Sequence, residues 1–393
     1  MFRTVLTILA SLLVAQCVSA SWQTGKPNDP EIQALCQKIQ TKIDAWRSKA
    51  RFPGVCVGFV LADGRSAGVA SGHTDIEKEV ALKTTDRLLA GSVGKMFVAA
   101  ALLQLMEEGK IRLDDPVSNW IGKETWFDRL PNSKNMTVRS LLNHTAGVPE
   151  YFEQKGFVEA LRADADKEWT PFGRLSFVLD AKPPFPVGEG WSYSDTHYIL
   201  AGMVFEKASG KPLFEEIDRR LLKPLQLTGI IASDRRVIPR LANGVCGPMN
   251  PLGFKGNTLE AGKLMTNPQV EWAGGGLATT PLDLAVWAKS LFEGKVLRGE
   301  TLREMLTGVG GIGGEKPGKS AKYGLGVMIR DTAQGTTYGH GGWFPGYRTE
   351  VVYFPDRKNA IAVQFNTDDG KAIGRNLMTY VEEMAQTITS MEK

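Results

Sequence analysis

The sequence predicts an α+β fold, an α/β sandwich in which one antiparallel sheet is built from both ends of the chain. Three observations carry that expectation. Strand-like patterns cluster before residue 72 and after residue 322, a long helix-like stretch separates them, and an amphipathic helix stands at each end. Taken in order, Pro30 to Ala50 places Ile32, Leu35, Cys36, Ile39, Ile43 and Trp46 at helical spacing. Residues 54–61 and 66–71 read as a hairpin about the turn Asp63-Gly64. Ser92 to Gly109 is a second helix, apolar at Met96, Phe97, Ala99, Ala100, Leu102, Leu103 and Leu105 and closed by a glycine. From about 113 to 319 helical segments alternate with Pro- and Gly-punctuated loops, as expected of an inserted all-α domain. Strands resume at 323–330, 336–340, 348–354 and 360–366, and Lys371 to Ser390 closes the chain as a helix. The sheet part is thus expected at about 28–112 and 320–393.

Composition excludes several classes. The 393 residues are 42% hydrophobic and 23% charged with a net charge of +4, which suits an ordinary globular protein. No cluster of five or more basic residues appears, so nucleic acid is not an expected partner. Residues 1–20 carry one cation (Arg3), an apolar run from Val5 to Ala15 and Val18-Ser19-Ala20 before Ser21, the pattern of a cleaved signal peptide. That run is too short to cross about 30 Å of hydrocarbon, and no further span follows in 21–393. The chain therefore reads as exported, periplasmic or secreted. Cleavage leaves Cys36, Cys56 and Cys246, which form no spaced disulfide or zinc set; a Cys36–Cys246 bridge stays open. The four histidines are never three or four apart, so no metal site is expected.

Two motif matches lack the context that their chemistry needs. Gly313-Gly-Glu-Lys-Pro-Gly-Lys-Ser320 fits a phosphate loop letter for letter, yet no strand precedes it and a strand, not a helix, follows. Ala90-Gly-Ser-Val-Gly94 resembles a nucleophile elbow, but the alternating strand–helix pattern of that class is missing. The same serine opens Ser92-Val-Gly-Lys95, which puts Lys95 one helical turn on and on the same face. A serine hydroxyl needs a neighbour to take its proton, and a lysine can do so once burial and a helix N-terminus lower its pKa. Trp191-Ser-Tyr-Ser-Asp-Thr-His-Tyr198 adds Tyr193 and Asp195 just before a helix. Gly339-His-Gly-Gly-Trp-Phe-Pro-Gly346 puts His340 at a strand end beside glycines, and Leu141-Leu-Asn-His-Thr-Ala-Gly-Val-Pro149 supplies a distinctive loop.

With these segments the sequence resembles the penicillin-recognising serine hydrolases, which include class C β-lactamases, D-alanyl-D-alanine carboxypeptidases, D-aminopeptidases and related esterases. Ser92-x-x-Lys95, Tyr193-x-Asp195 and His340-x-Gly342 stand in the order of that family's three motifs, and the match runs from about residue 30 to 388. The resemblance implies the β-lactamase/transpeptidase-like fold and an acyl-enzyme mechanism without a cofactor. It implies Ser92 as nucleophile, Lys95 as proton acceptor or electrostatic partner, and Tyr193, its pKa lowered by Lys95, as proton shuttle. Ser92 and Trp343 would supply oxyanion N–H groups, while His340 and Gly342 would border a polar substrate group. Two departures stand out. The second motif ends in Asp195 where the family usually has Asn, and an ionised carboxylate only accepts hydrogen bonds. The third begins with His rather than Lys, a weaker carboxylate anchor. Both point away from a dedicated β-lactamase, and the expected substrates are esters or amides of small D-configured peptides. A β-lactamase or D-alanyl-D-alanine carboxypeptidase is the alternative, and a silent relative that binds cell-wall peptides or a protein is the third reading.

Overall fold

The computed structural model describes residues 29–75, 77, 79–310 and 321–391. The expected signal peptide and the glycine-rich 313–320 segment lie outside the described residues. Helix α1 (Pro30–Lys49) begins at Asp29, whose carboxylate accepts from the N–H groups of Glu31 and Ile32, and it buries Ile32, Leu35, Ile39, Ile43 and Trp46. The chain then forms β1 (Gly54–Val60), β2 (Ser66–Asp75) and β3 (Val80–Ala81), and after helix α2 (Gly94–Glu107) it enters the long central region. Helices α3 (Asp195–Ser209) and α4 (Pro281–Phe292) follow. Strands β4 (Val309–Gly310), β5 (Ala321–Tyr323), β6 (Met328–Thr332), β7 (Gly335–Phe344), β8 (Tyr347–Phe354) and β9 (Asn359–Phe365) lead to α5 (Leu377–Thr389).

Among the described residues the main sheet is antiparallel, in the order β4-β5-β6-β7-β8-β9-β1-β2-β3. The sheet therefore closes across the two chain ends, with Val57 of β1 opposite Val363 of β9. Every residue of β1 is buried, because both of its faces are covered. Val55, Val57 and Phe59 pack with α1 and α5, whereas Val60 joins the larger core that contains α2 and the central helices. The mixed sheet-and-helix architecture predicted from the sequence is the one observed.

Several elements differ from expectation for identifiable reasons. Residues 323–330 are not one strand: Gly324 N–H bonds to Val327 O and Gly326 takes a φ of +76°, so β5 and β6 meet at a turn. The closing helix is likewise broken at Gly374, φ +81°, and resumes at Leu377. Helix α4 and strand β4 fall inside the range expected for the helical insert, yet α4 lies across β1 and β9 and β4 extends the sheet. The insert also contains short strand pairs, such as Val245–Cys246 with Gly256–Asn257, and so is not wholly helical. Cys36, Cys56 and Cys246 are free thiols, which closes the question of a Cys36–Cys246 bridge.

Candidate active site

Helix α2 is apolar around its whole circumference and is buried along most of its length. Its one charged residue in the first turn, Lys95, has no exposed surface. Two close approaches fix the start of this helix. A Cβ on Gly94 would lie 1.8 Å from Gly275 O, and one on Gly342 would lie 1.8 Å from Ala90 O. The 3-10 turn Gly91–Val93 that carries Ser92 is thus wedged between the Trp272–Thr280 segment and β7. Trp343 N comes beside Gly91, where a Cβ would be 2.5 Å away, so the backbones of Ser92 and Trp343 are neighbours.

Lys95 Nζ donates to Ser92 Oγ at 3.0 Å and to Gly274 O at 2.6 Å, and forms a short ion pair with Asp195. The ammonium also lies 4.8 Å from the centre of the Tyr193 ring. Burial alone would lower the Lys95 pKa, but the Asp195 carboxylate and the nearby Tyr193 phenol outweigh it and hold the group above the usual lysine range. The sequence expectation of a neutralised lysine is therefore corrected. Tyr193 departs from expectation in the same sense. Burial pushes its phenol above the ordinary tyrosine value, and Lys95 and Ser92 only partly oppose this. The Tyr193 hydroxyl is buried beside both groups without a hydrogen bond of ordinary geometry.

His340 sits within β7 rather than at its end, and its ring is fully buried. Its Nε2 meets Tyr323 Oη at 2.8 Å and its Nδ1 meets Gly341 O at 2.6 Å. Burial depresses its pKa to about 3, so the ring is neutral and faces a tyrosine rather than a substrate anion. Its contribution to this site is to the polar network behind Tyr193, 6.2 Å away between ring centres.

Two carboxylates of the site were not singled out in the sequence, although Glu150 directly follows the marked loop Leu141–Pro149. Glu150 accepts from Asp195 N–H at 2.5 Å, and Glu271 accepts from Gly276 N–H at 3.0 Å. Burial raises Glu150 well above the carboxylate range and Glu271 to about 8, each pushed further by Asp195. His144 and His197, 53 residues apart, meet through their Nδ1 atoms at 3.1 Å. Val148 N–H donates to His197 Nε2, so His197 carries its proton on Nδ1 and gives it to His144. Glu150, His144 and His197 leave no local spacing signal, because each depends on a partner more than forty residues away.

Two cavities meet at Ser92, Tyr193 and Trp343. One of about 230 Å³ is walled by Tyr151, Phe152, Phe157, Leu252, Val270 and Phe344, with Glu271 on its lining. The other, about 580 Å³, is lined by Trp191, Gly341, Arg330, Arg348 and Arg375.

Comparison with known proteins fits this geometry. The sequence profile described as Beta-lactamase matches residues 32–383. The chain belongs to the β-lactamase family. A member similar to it, a putative penicillin-binding protein PbpX of Bacillus subtilis, is 25% identical over 360 residues, covering 90% of this chain and 80% of the relative. A D-aminopeptidase of Brucella anthropi is 24% identical, over 81% of this chain but only 57% of its own length. Among solved structures, a D-stereospecific amidohydrolase from Streptomyces sp. matches with a TM-score of 0.72 and 28% identity, over 86% of this chain and 96% of that one. A D-amino acid amidase from Ochrobactrum anthropi shares the fold at a TM-score of 0.78 and 23% identity, over 92% of this chain and 100% of that one. These family relatives include hydrolases of D-amides and peptides.

Proposed function

We propose that this β-lactamase-family chain is an exported serine hydrolase that cleaves amides or esters of small D-configured acyl groups through an acyl-enzyme on Ser92. The observation that carries the reading is the Ser92 hydroxyl, 3.0 Å from the buried Lys95 ammonium at the junction of two cavities. Export rests on the pattern of residues 1–20, and no described helix is long and apolar enough to span a membrane.

In this mechanism Lys95 passes its proton to Asp195 as it accepts the proton of Ser92, whose oxygen attacks the substrate carbonyl. The direct contact between Lys95 and Asp195 gives that proton a short path from one group to the other. The carbonyl oxygen becomes an oxyanion and accepts from the N–H groups of Ser92 and Trp343. Collapse breaks the bond to the leaving amine or alcohol, which takes a proton from Tyr193. Tyr193 recovers that proton from the Lys95–Asp195 pair, and water then releases the acid from Ser92. The 230 Å³ aromatic cavity suits an apolar acyl side chain. The amide relatives in the family favour small D-amides.

Intact mass of the purified protein, after separate incubation with a fluorophosphonate, a D-phenylalanine amide, a p-nitrophenyl ester and a penicillin, tests the reading. A phosphonyl adduct on Ser92, turnover of amide or ester, and loss of both by at least about 10³-fold in Ser92→Ala are expected. A lasting penicilloyl adduct moves the assignment toward a carboxypeptidase, and rapid penicillin loss toward a β-lactamase. No adduct and no turnover overturns the assignment as a hydrolase.

A further inference from the structure

Tyr193 has to present its hydroxyl to both Ser92 and Lys95, yet that hydroxyl makes no hydrogen bond of ordinary geometry that would hold it there. Its placement falls to what grips the residue from behind, and that grip converges on His144. The residues on either side of Tyr193 both donate backbone N–H groups to this histidine, Ser192 to its carbonyl O at 3.1 Å and Ser194 to its Nδ1 at 3.3 Å. The His144 ring also lies against the Tyr193 ring, 4.3 Å between centres, closer than Tyr323 at 6.0 Å or His340 at 6.2 Å.

Two features show that His144 is not placed for stability alone. Its backbone takes a φ of +64°, a left-handed conformation that a side chain other than glycine's enters at a cost. Its Nε2 is buried without a hydrogen-bond partner among the described residues. What the position does secure is a single protonation pattern. His197 Nε2 accepts from Val148 N–H, so His197 donates from Nδ1. His144 Nδ1 accepts from His197 and from Ser194, which leaves the His144 proton on Nε2. Burial keeps the ring neutral, its pKa well below the usual histidine value. The ring thus offers the same acceptor to Ser194 N–H throughout the neutral range.

We propose that His144 is the positioning residue of Tyr193, holding the phenol beside Ser92 and Lys95 so that its proton reaches the departing amine. This deepens the hydrolase reading and rests on it, since it requires Tyr193 to protonate the leaving group. An amine does not depart as its anion and needs that proton, whereas p-nitrophenolate leaves without one. Displacement of Tyr193 therefore slows amides selectively.

The test measures kcat/KM, which reports acylation, for D-phenylalanine amide and D-phenylalanine p-nitrophenyl ester. The proteins are the wild type, Tyr193→Phe, His144→Gly, His144→Asn and the double variant of Tyr193→Phe with His144→Gly. Glycine adopts the +64° backbone freely, and asparagine tolerates it while returning a side-chain oxygen to Ser194 N–H. His144→Gly is expected to lower the amide value by about 10²-fold, the lower end for general acid catalysis, and the ester value far less. His144→Asn recovers part of the amide value, and His144→Gly adds little to the loss in Tyr193→Phe. The amide-to-ester ratio does not depend on the folded fraction, so partial unfolding does not imitate this result. Equal losses on both substrates, an unchanged amide value, full additivity in the double variant, or failure of both histidine variants to fold overturns the inference and leaves the hydrolase reading standing. An unchanged ratio in Tyr193→Phe overturns it too, by removing Tyr193 as the proton donor. A wild type that turns over neither substrate overturns the hydrolase reading and this inference with it.

Discussion

At Lys95 two electrostatic effects oppose each other, and the chain resolves them through one unusual residue. Complete burial disfavours the ammonium, and the Asp195 carboxylate restores it. An asparagine at this position would leave burial opposed by Tyr193 alone and bring the lysine down toward neutrality. Asp195→Asn is therefore expected to introduce an acid limb into kcat/KM against pH, with its midpoint below the ordinary lysine value. The wild type keeps Lys95 charged throughout and has no limb from this group. At acidic pH, where the variant's lysine is forced to remain charged without its partner, the variant loses about 3–5 kcal/mol of stability. Kinetic profiles and chemical denaturation on both proteins check the two effects, and superimposable profiles would remove Asp195 from control of the lysine. Motif spacing made Ser92, Lys95, Tyr193 and Asp195 legible in the sequence, but not their charge states. Those of Lys95 and Tyr193 depend on burial and on contact with Asp195, which meets Lys95 only when the chain folds.

At the scale of elements, function depends on how closely β7 lies against the turn that begins α2. Gly342 leaves no room for a methyl group, because Ala90 O occupies the place a Cβ would take. Gly342→Ala is expected to lift β7 from the Gly91–Val93 turn and to separate the N–H groups of Ser92 and Trp343. Loss of one oxyanion donor typically reduces kcat by about 10²–10³-fold, so a fall of that size with KM little changed is the expected result. The overpacking itself costs about 1–3 kcal/mol, readable as a lower melting temperature. Wild-type kcat in the variant would show that β7 does not supply the donor. Elements with a single uninterrupted pattern, such as α1, β1 and α2, were legible in the sequence within a residue or two. The break between β5 and β6 was not, because alternation continues through Gly324 and Gly326 while the backbone turns. Helix α4 also escaped placement, since its apolar pattern fits packing on a sheet or within a helical insert equally well.

For the whole molecule, the same burial that builds the site sets a pH window for stability. His144, His197 and His340 are buried neutral, with pKa values pushed well below 6.5 and, for the latter two, to about 3. Glu150 and Glu271 are raised by burial, Glu271 to about 8. Between about pH 6.5 and 4.5 the unfolded chain protonates the three histidines while the folded chain keeps the two acids protonated. Unfolding then takes up a net proton, and stability rises with pH. From about 6.5 to 8 the unfolded histidines and acids are without protons while folded Glu271 retains its own, so stability falls as pH rises. The folded-state contribution of His197 and His340 is thus complete above 6.5 and lost toward 3, and that of Glu271 is complete below 4.5 and lost through 8. These five groups together place the maximum near pH 6.5. Melting temperature measured across pH 4 to 9 should peak there. One proton that the folded chain retains and the unfolded chain has lost gives a slope of about 1.4 kcal/mol per pH unit. Glu271→Gln should remove a slope of up to that size from the alkaline side and leave the acid side to the histidines. A wild-type maximum above pH 8 would mean that Glu271 is ionised in the folded protein and that the site carries its negative charge on Glu271 as well as Asp195.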